Sequence, residues 1–582
     1  MSTYPFNLGT YSRPIKTKSP EAQTWFDRGL NWMYGYNWEE AEDCFVRALN
    51  HDPFCAMAHW GIAYSLGPNY NKPWPRFRPD ERSTHLARAQ ASLRKALKLV
   101  DGTSEVEYDL IDALTLRYQT SDPADIGPKW NDDYANAMRL VHMRHPDDVD
   151  VTALFVEAMM NRTPWRMWDH KADEPVAGAD TVECRNVLEA GISKNRTAGL
   201  PPHPGLWHLY VHLMEMSPTP ELALSVADEL RTLVPDAGHL AHMPTHIYVQ
   251  CGDYRAVVDW NNAAIAQDER YWEYAGARNT YSRTRAHDYH TKLFGAMLLG
   301  DFGAAMGAVE GLERTIPAAL VTDGTFQADW LEPYMSVRTH ALVRFGKWRE
   351  LIDEPVPDNP EQFTMTTAMN YYGKGIAYAA LKHPDEARWA QEQFEYWAER
   401  VPEGSFLHAV PCREVLKVGR LMLAGELAYH RGEYDDAFGH LRAAAEVEDE
   451  LPFDEPWAWM MPSRHALGAL LLEQGRIEEA AQVYEADLGL TDDVIRANQH
   501  PNNVWALLGL HTCYERLGKL EQARLIKGER DRALARADVS LGSSCFCSQP
   551  ITDEQEQTPP SSCCSQSDIA ELRGSERRPA CH

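Results

Sequence analysis

Apolar residues recur at helical spacing along nearly the whole chain, and no convincing run of alternating apolar and polar residues interrupts them. The pattern predicts helices throughout. Turns of the form Gly-x-aromatic followed by a small residue punctuate it: RGEYDDA (431–437), QGRIEEA (474–480) and LGKLEQA (517–523). Each marks the bend between two helices, so the elements come as hairpins. Residues 22–55 show the unit most clearly, with a period near 34 residues.

Counted from Ala22 as position 1, Trp25 is position 4, Gly29 position 8, Ala41 position 20, Phe45 position 24, Ala48 position 27 and Pro53 position 32. This resembles the tetratricopeptide consensus at every diagnostic place. Small residues at 8 and 20 let two helices approach, aromatics fill the space between hairpins, and proline stops the second helix. Further repeats start at Pro204, Gly238, Ala286, Ala368, Val418, Met461 and Val504. The expected fold is an all-α, tetratricopeptide-repeat-like superhelical solenoid of about ten helical hairpins, degenerate between residues 80 and 200. Residues 1–20 read as an N-terminal extension and 21–537 as the solenoid. Residues 538–582, rich in Ser, Pro, Gln and charge, read as a Cys-rich disordered tail.

The register changes the picture in the middle of the chain. It puts His208 and His212 at positions 5 and 9 of one hairpin, with Glu215 at 12. His239, His242 and His246 fall at 2, 5 and 9 of the next, and His287 and His290 at 2 and 5 of a third. These positions form one stripe on the first helix of each hairpin, the face that lines the concave groove. Twelve such positions, at 23 histidines in 582 residues, would carry about half a histidine by chance, and seven are present. Imidazoles from helices packed about 8–10 Å apart can meet around one or two transition-metal ions. The hairpins 203–300 are therefore the expected metal-binding region. Glu215 reads as a ligand, an acceptor for a ligand's other ring nitrogen, a general base, or a plain groove carboxylate. Pro244 removes a backbone hydrogen bond and kinks or restarts the second histidine helix. His340, at position 9 of the next hairpin, reads as packing or groove lining.

An imidazole-rich set suits copper, zinc, iron or nickel, and so many histidines with few carboxylates favour copper; two histidines plus Glu215 would suit iron, a closed four-ligand site zinc. The leading expectation is an oxidoreductase acting on a small molecule or peptide in the groove. A zinc- or iron-dependent hydrolase or lyase on the same residues is the alternative, and a non-catalytic peptide-binding scaffold the third. A pH-sensitive peptide groove or a histidine-lined anion site also fits the stripe.

Other groups add less. GPNYNKPW (67–74) reads as a rigid loop between helices, or a lid. NRTPWRMWDH (161–170), with Arg162, Arg166 and His170, reads as capping or packing ahead of substrate binding. Cys545, Cys547, Cys563 and Cys564 read as incidental thiols or a soft-metal site. A formal net charge of −28 disfavours nucleic acid. No apolar run is long enough to span a membrane, and the first residues lack a signal-peptide core. Six scattered cysteines, at 44, 55, 184, 251, 412 and 513, fit a reducing compartment, so the expected location is cytoplasmic.

The strings HLYVHLMEMSPTPELAL, AGHLAHMPTHIYVQCGDY and HDYHTKLFGAMLLGDF resemble a family of tetratricopeptide-repeat proteins widespread in bacteria and fungi, with motifs HLYxH, HMPxHIY and HxxH. GIAYSLGPNYNKPW and PNNVWALLGL extend the resemblance to about residues 20–547. Asp288 stands where the family tends to have Asn. The resemblance implies the fold and says little about chemistry.

Overall fold

Gly29 shows how the hairpins close. A Cβ there would lie 2.7 Å from the ring of Phe45, so only glycine lets the helix Pro20–Tyr34 meet Trp38–His51 at that point. The computed structural model describes residues 4–169, 171–279, 281–316, 318–321 and 330–548. Among these, helix follows helix from Pro20 to Arg536, with two-residue strand pairs only at Trp168–Asp169 with Glu174–Pro175 and at Phe406–Leu407 with Val410–Pro411. The fold is an all-α, tetratricopeptide-like solenoid.

The expected repeats are hairpins: Pro204–Met214 with Leu224–Leu230, Ser282–Leu299 with Phe302–Thr315, Thr364–Ala380 with Pro384–Ala398, and Val504–Arg516 with Leu520–Arg536. The stretch between 80 and 200 is helical too, as Pro79–Leu97, Glu105–Leu114, Pro128–Arg144, Val149–Met160 and Thr181–Thr197. Asp148, Asp253, Asp301 and Asn503 cap helix N-termini, each side chain accepting a backbone N–H two or three residues into the helix.

The superhelix turns tightly enough for distant hairpins to touch. Asn7 donates its backbone N–H to Asp236 at 2.5 Å, and Phe6 packs against Trp32 and Tyr274, so the segment before Pro20 bridges the first repeat to the histidine hairpins. From the other side, Trp505 Nε1 donates to the Met297 carbonyl at 2.7 Å and Tyr254 Oη to the Pro501 carbonyl at 2.9 Å. Repeats 204–300 are thereby packed between the two ends of the solenoid.

Loops fill the concave side, which differs from the open groove that the repeat register implies. The segment between Tyr434–Asp449 and Ser463–Glu473 brings Trp457 onto Phe294 (ring centroids 5.1 Å) and Trp459 onto His340 (4.8 Å). Tyr70, in the 67–74 loop, is buried against His212 at 5.0 Å. Arg162 pairs with Asp132 and Asp180, while His170 lies outside the described residues. No described helix is long and apolar enough to cross a membrane.

Residues 538–548, the start of the expected tail, lie against the solenoid. Asp538 accepts the backbone N–H groups of Phe302 and Gly303, Arg344 donates to the Ser544 carbonyl at 2.8 Å, and Phe546 meets Gly346 and Trp505. Cys545 and Cys547 are joined in a disulfide, so they do not present the pair of thiolates that a soft-metal site needs. The other tail cysteines, with all of 549–582, lie outside the described residues.

Candidate metal centre

Two helical turns place the first pair of imidazoles. His203 caps the helix Pro204–Met214 through its Nδ1, which accepts from Leu206 N, and Pro204 starts the helix without losing a hydrogen bond. His208 and His212 then share a face one turn apart, and Glu215 ends the helix. The second histidine run is broken as Pro244 requires. Gly238–His242 and Pro244–Gln250 are separate helical segments joined at Met243, which keeps helical dihedrals. His246 N reaches back only to the Met243 carbonyl, and the resulting kink turns His246 towards His242. Gly238 is forced by packing, because a Cβ would collide with the Asp268 carboxylate. His287 and His290 lie on the helix Ser282–Leu299.

Six of the seven expected histidines gather into two triads. One ring nitrogen from each of His208, His212 and His239 lies within 4.8 Å of the other two, and the same holds for His242, His246 and His287. All six are buried. His290 belongs to neither group. Its Nε2 lies 3.2 Å from Met460 Sδ, and its ring meets Tyr334. It shares the stripe at 287 and 290, but it points towards the 452–462 loop rather than the triads.

Hydrogen-bond partners hold one ring nitrogen of four of these histidines. His208 Nδ1 donates to the Tyr34 carbonyl at 2.7 Å. His212 Nδ1 donates to Glu215 Oε1 at 3.1 Å, and His246 Nδ1 to Glu215 Oε2 at 2.7 Å. His242 Nδ1 donates to Asn261 Oδ1 at 2.7 Å; the amide is oriented because Asn261 Nδ2 donates to the Val257 carbonyl. Asp288 lies 3.2 Å from the same nitrogen. A neutral imidazole with its proton on Nδ1 offers a lone pair at Nε2. The Nε2 atoms of His208 and His212 are buried without any partner, as are both ring nitrogens of His239. His242 Nε2 and His246 Nε2 face one another at 2.6 Å, and His287 Nε2 lies 3.5 Å from His246 Nε2. Lone pairs aimed at one another in a buried site repel, and a cation between them removes that repulsion. The donor sets therefore fit a metal ion, with acceptors already holding the other nitrogen of four ligands.

Charge behaves accordingly. Burial pushes His208 and His246 down to about 3, and burial with neighbouring imidazoles pushes His212, His239, His242 and His287 well below the usual histidine range. All six are neutral near pH 7, the form that binds metal. Burial and then the charge of Glu455 push Glu215 well above the usual carboxylate range, and burial lifts Glu455 to about 8.

Glu455 has no periodic signal in the sequence. It comes from the 452–462 loop, and its Oε2 lies 2.8 Å from His246 Nδ1. His212, Glu215, His246 and Glu455 form a third, mixed group of closely spaced ligand atoms. His408, at the tip of the small Phe406–Pro411 hairpin, stacks on His287 at 4.7 Å and pairs with Asp454. Tyr36 lies across the first triad, 4.4 Å from His208 and stacked on His212 and His239. A lone histidine or tyrosine in a loop carries no spacing that marks it; the 67–74 loop, whose Tyr70 covers His212, is the one such segment with a readable signal.

A cavity of about 110 Å³ adjoins both triads. Its lining includes His239, His246, His287, His408 and Glu455 on one part, and Trp38, Trp165, Trp330, Lys72, Arg76 and Arg283 on another.

Fold and site define a tetratricopeptide-like solenoid with a buried histidine–carboxylate cluster able to hold a metal ion. No family model matches the chain, and no curated protein matches it. Among solved structures it is similar to a monomeric IFIT1 mutant with m7Gppp-AAAA, at 12% identity and a TM-score of 0.32, over 82% of this chain and 90% of that one. The same figures hold for monomeric mutant IFIT1 with Gppp-AAAA. Naa15/Naa10 bound to HypK-THB matches at 12% identity and a TM-score of 0.21, over 88% of this chain and 70% of that one. Nothing about the site follows from likenesses this distant.

Proposed function

We propose that this chain is a metal-dependent oxidoreductase, copper being the favoured metal, and that it acts on a small molecule in the cavity beside the triads. The observation that carries the reading is the set of buried Nε2 lone pairs directed at one another while Nδ1 is held by an acceptor. His208, His212 and His239 would hold one ion, and His242, His246 and His287 a second. Neutral imidazoles without a thiolate suit copper in either of its common oxidation states, and copper supplies one-electron chemistry when bound. Glu215 orients one imidazole of each triad, and its carboxylate can hold or release a proton between them. Trp165, Trp330 and His408 wall the cavity. In this reading residues 21–537 are the scaffold and 203–300 carry the centre.

The mixed group His212, Glu215, His246 and Glu455 favours a second reading, a zinc- or iron-dependent hydrolase or lyase. The filled concave side counts against a peptide-binding scaffold, because little groove is left for a peptide.

Plasma mass spectrometry on protein purified without a histidine tag tests these readings. About two copper ions per chain, lowered by His242→Ala, is the expected result. Zinc or iron at about one per chain would favour the second reading. Less than about 0.2 metal per chain, unchanged by His242→Ala, would sink both.

A further inference from the structure

Three cationic side chains line a single cavity in a chain with a net charge of −28. Lys72 is held by Glu81 and lies over the Phe77 ring at 4.4 Å. Arg283 lies over the Trp330 ring at 5.2 Å. The Arg76 guanidinium makes no hydrogen bond or ion pair among the described residues, and Asp454, the acid whose charge it feels, is already paired with His408. Arg76 and Arg283 are close enough for the charge of one to disfavour that of the other. The half-buried Arg76 guanidinium, facing the cavity without an ion pair among the described residues, is stabilised by an anion there. Trp165, another residue of the lining, has its Nε1 buried without a partner.

The remaining wall restricts what the anion belongs to. Trp38, Trp165 and Trp330 offer flat apolar surface, and a volume of about 110 Å³ suits a small molecule rather than a peptide. Glu455 lines the part next to His246, so a carboxylate entering the other way round would meet carboxyl oxygens instead of the guanidiniums.

Resting on the oxidoreductase reading, we infer that the substrate is a small planar organic acid, its carboxylate held by Arg76 and Arg283, its ring against the cavity tryptophans, and its reactive end towards His246 and His287. Arginine suits this task because its planar fork matches a carboxylate in two parallel hydrogen bonds, which a neutral amide cannot reproduce. Arg76 is a binding residue in this arrangement and has no part in holding metal.

Benzoate and its neutral isostere benzamide probe the cavity directly, by calorimetry on the full chain as purified and again after chelator treatment. The expected result is benzoate binding at least about tenfold tighter than benzamide, with the preference kept after chelation. Arg76→Gln should abolish the preference and Arg76→Lys should keep part of it, both with unchanged metal content and thermal melting. Because the chelated arm needs no metal, a chain that proves metal-free still shows whether the cavity recognises an anion. Equal binding of the two probes, no binding of either, or a benzoate preference that vanishes with the metal and ignores Arg76→Gln would each overturn the inference.

Discussion

The Oε2 atom of Glu215 accepts a hydrogen bond from His246 Nδ1 at 2.7 Å, from one histidine hairpin to the next. Its other oxygen takes His212 Nδ1 at 3.1 Å, so a single carboxylate orients one imidazole in each triad. Glu215→Gln keeps the shape but offers only one acceptor; its amide N–H₂ meets the N–H of the second histidine. Loss of such an orienting partner typically weakens metal binding about 10–100-fold. Chelator competition on the variant should show weakening at both ions. Weakening at one ion alone would mean that the carboxylate serves a single triad.

His208→Ala and His242→Ala should each remove the metal of their own triad and leave the other in place, because no ligand is shared between the two groups. His290→Leu should leave metal content unchanged, since His290 Nε2 faces Met460 Sδ. Metal-to-protein ratios of the three variants check this. A loss in His290→Leu equal to that in His242→Ala would restore His290 to the ligand set.

The fold should lose stability in acid. His340 is buried beside Trp459 with neither ring nitrogen partnered, and burial pushes it down to about 3. In the unfolded chain the same imidazole takes up a proton near pH 6.5. Below that pH the unfolded state binds the extra proton, so stability present above about 6.5 falls as pH drops towards the folded value, by up to ~1.4 kcal/mol per pH unit for this group. Denaturant titrations of metal-stripped protein at about pH 7 and about pH 5.5 should differ accordingly. His340→Leu should shrink the difference by roughly the share of one proton, and an unchanged slope would show that His340 is not held neutral.

Truncation should separate the docked residues 538–548 from residues 549–582. Ending the chain after Ser548 keeps Ser544, which donates to the His465 carbonyl at 2.8 Å, and keeps Phe546 against Trp505. Ending it after Ser543 removes both and leaves the Arg344 guanidinium without the Ser544 carbonyl. Loss of a packed aromatic and a buried hydrogen bond should lower stability by ~2–4 kcal/mol. Melting temperatures of the two truncations decide it: equal values would mean that the 544–548 contacts contribute nothing.

Much of this arrangement comes from local rules. Helical periodicity, the Gly-x-aromatic turns and the small residue at Gly29 are properties of neighbouring residues, and they specify hairpins wherever they occur. The register that they set puts the histidines on one face, because side chains at i, i+3 and i+7 must share a helix side. The break at Pro244 is equally local, since it results from a missing N–H.

The chain alone thus determines the repeat, the stripe of seven histidines and the presence of Glu215 one turn beyond His212. Only the tertiary structure divides the stripe into two triads, turns His290 away to Met460, and brings Glu455, His408, Tyr36 and Arg76 to the same cavity from segments hundreds of residues apart. It also closes the groove that a bare repeat would leave open. Sequence spacing fixes which side of a helix a residue occupies, whereas superhelical turn and loop packing decide what faces that side, and those depend on contacts between elements that no local pattern encodes.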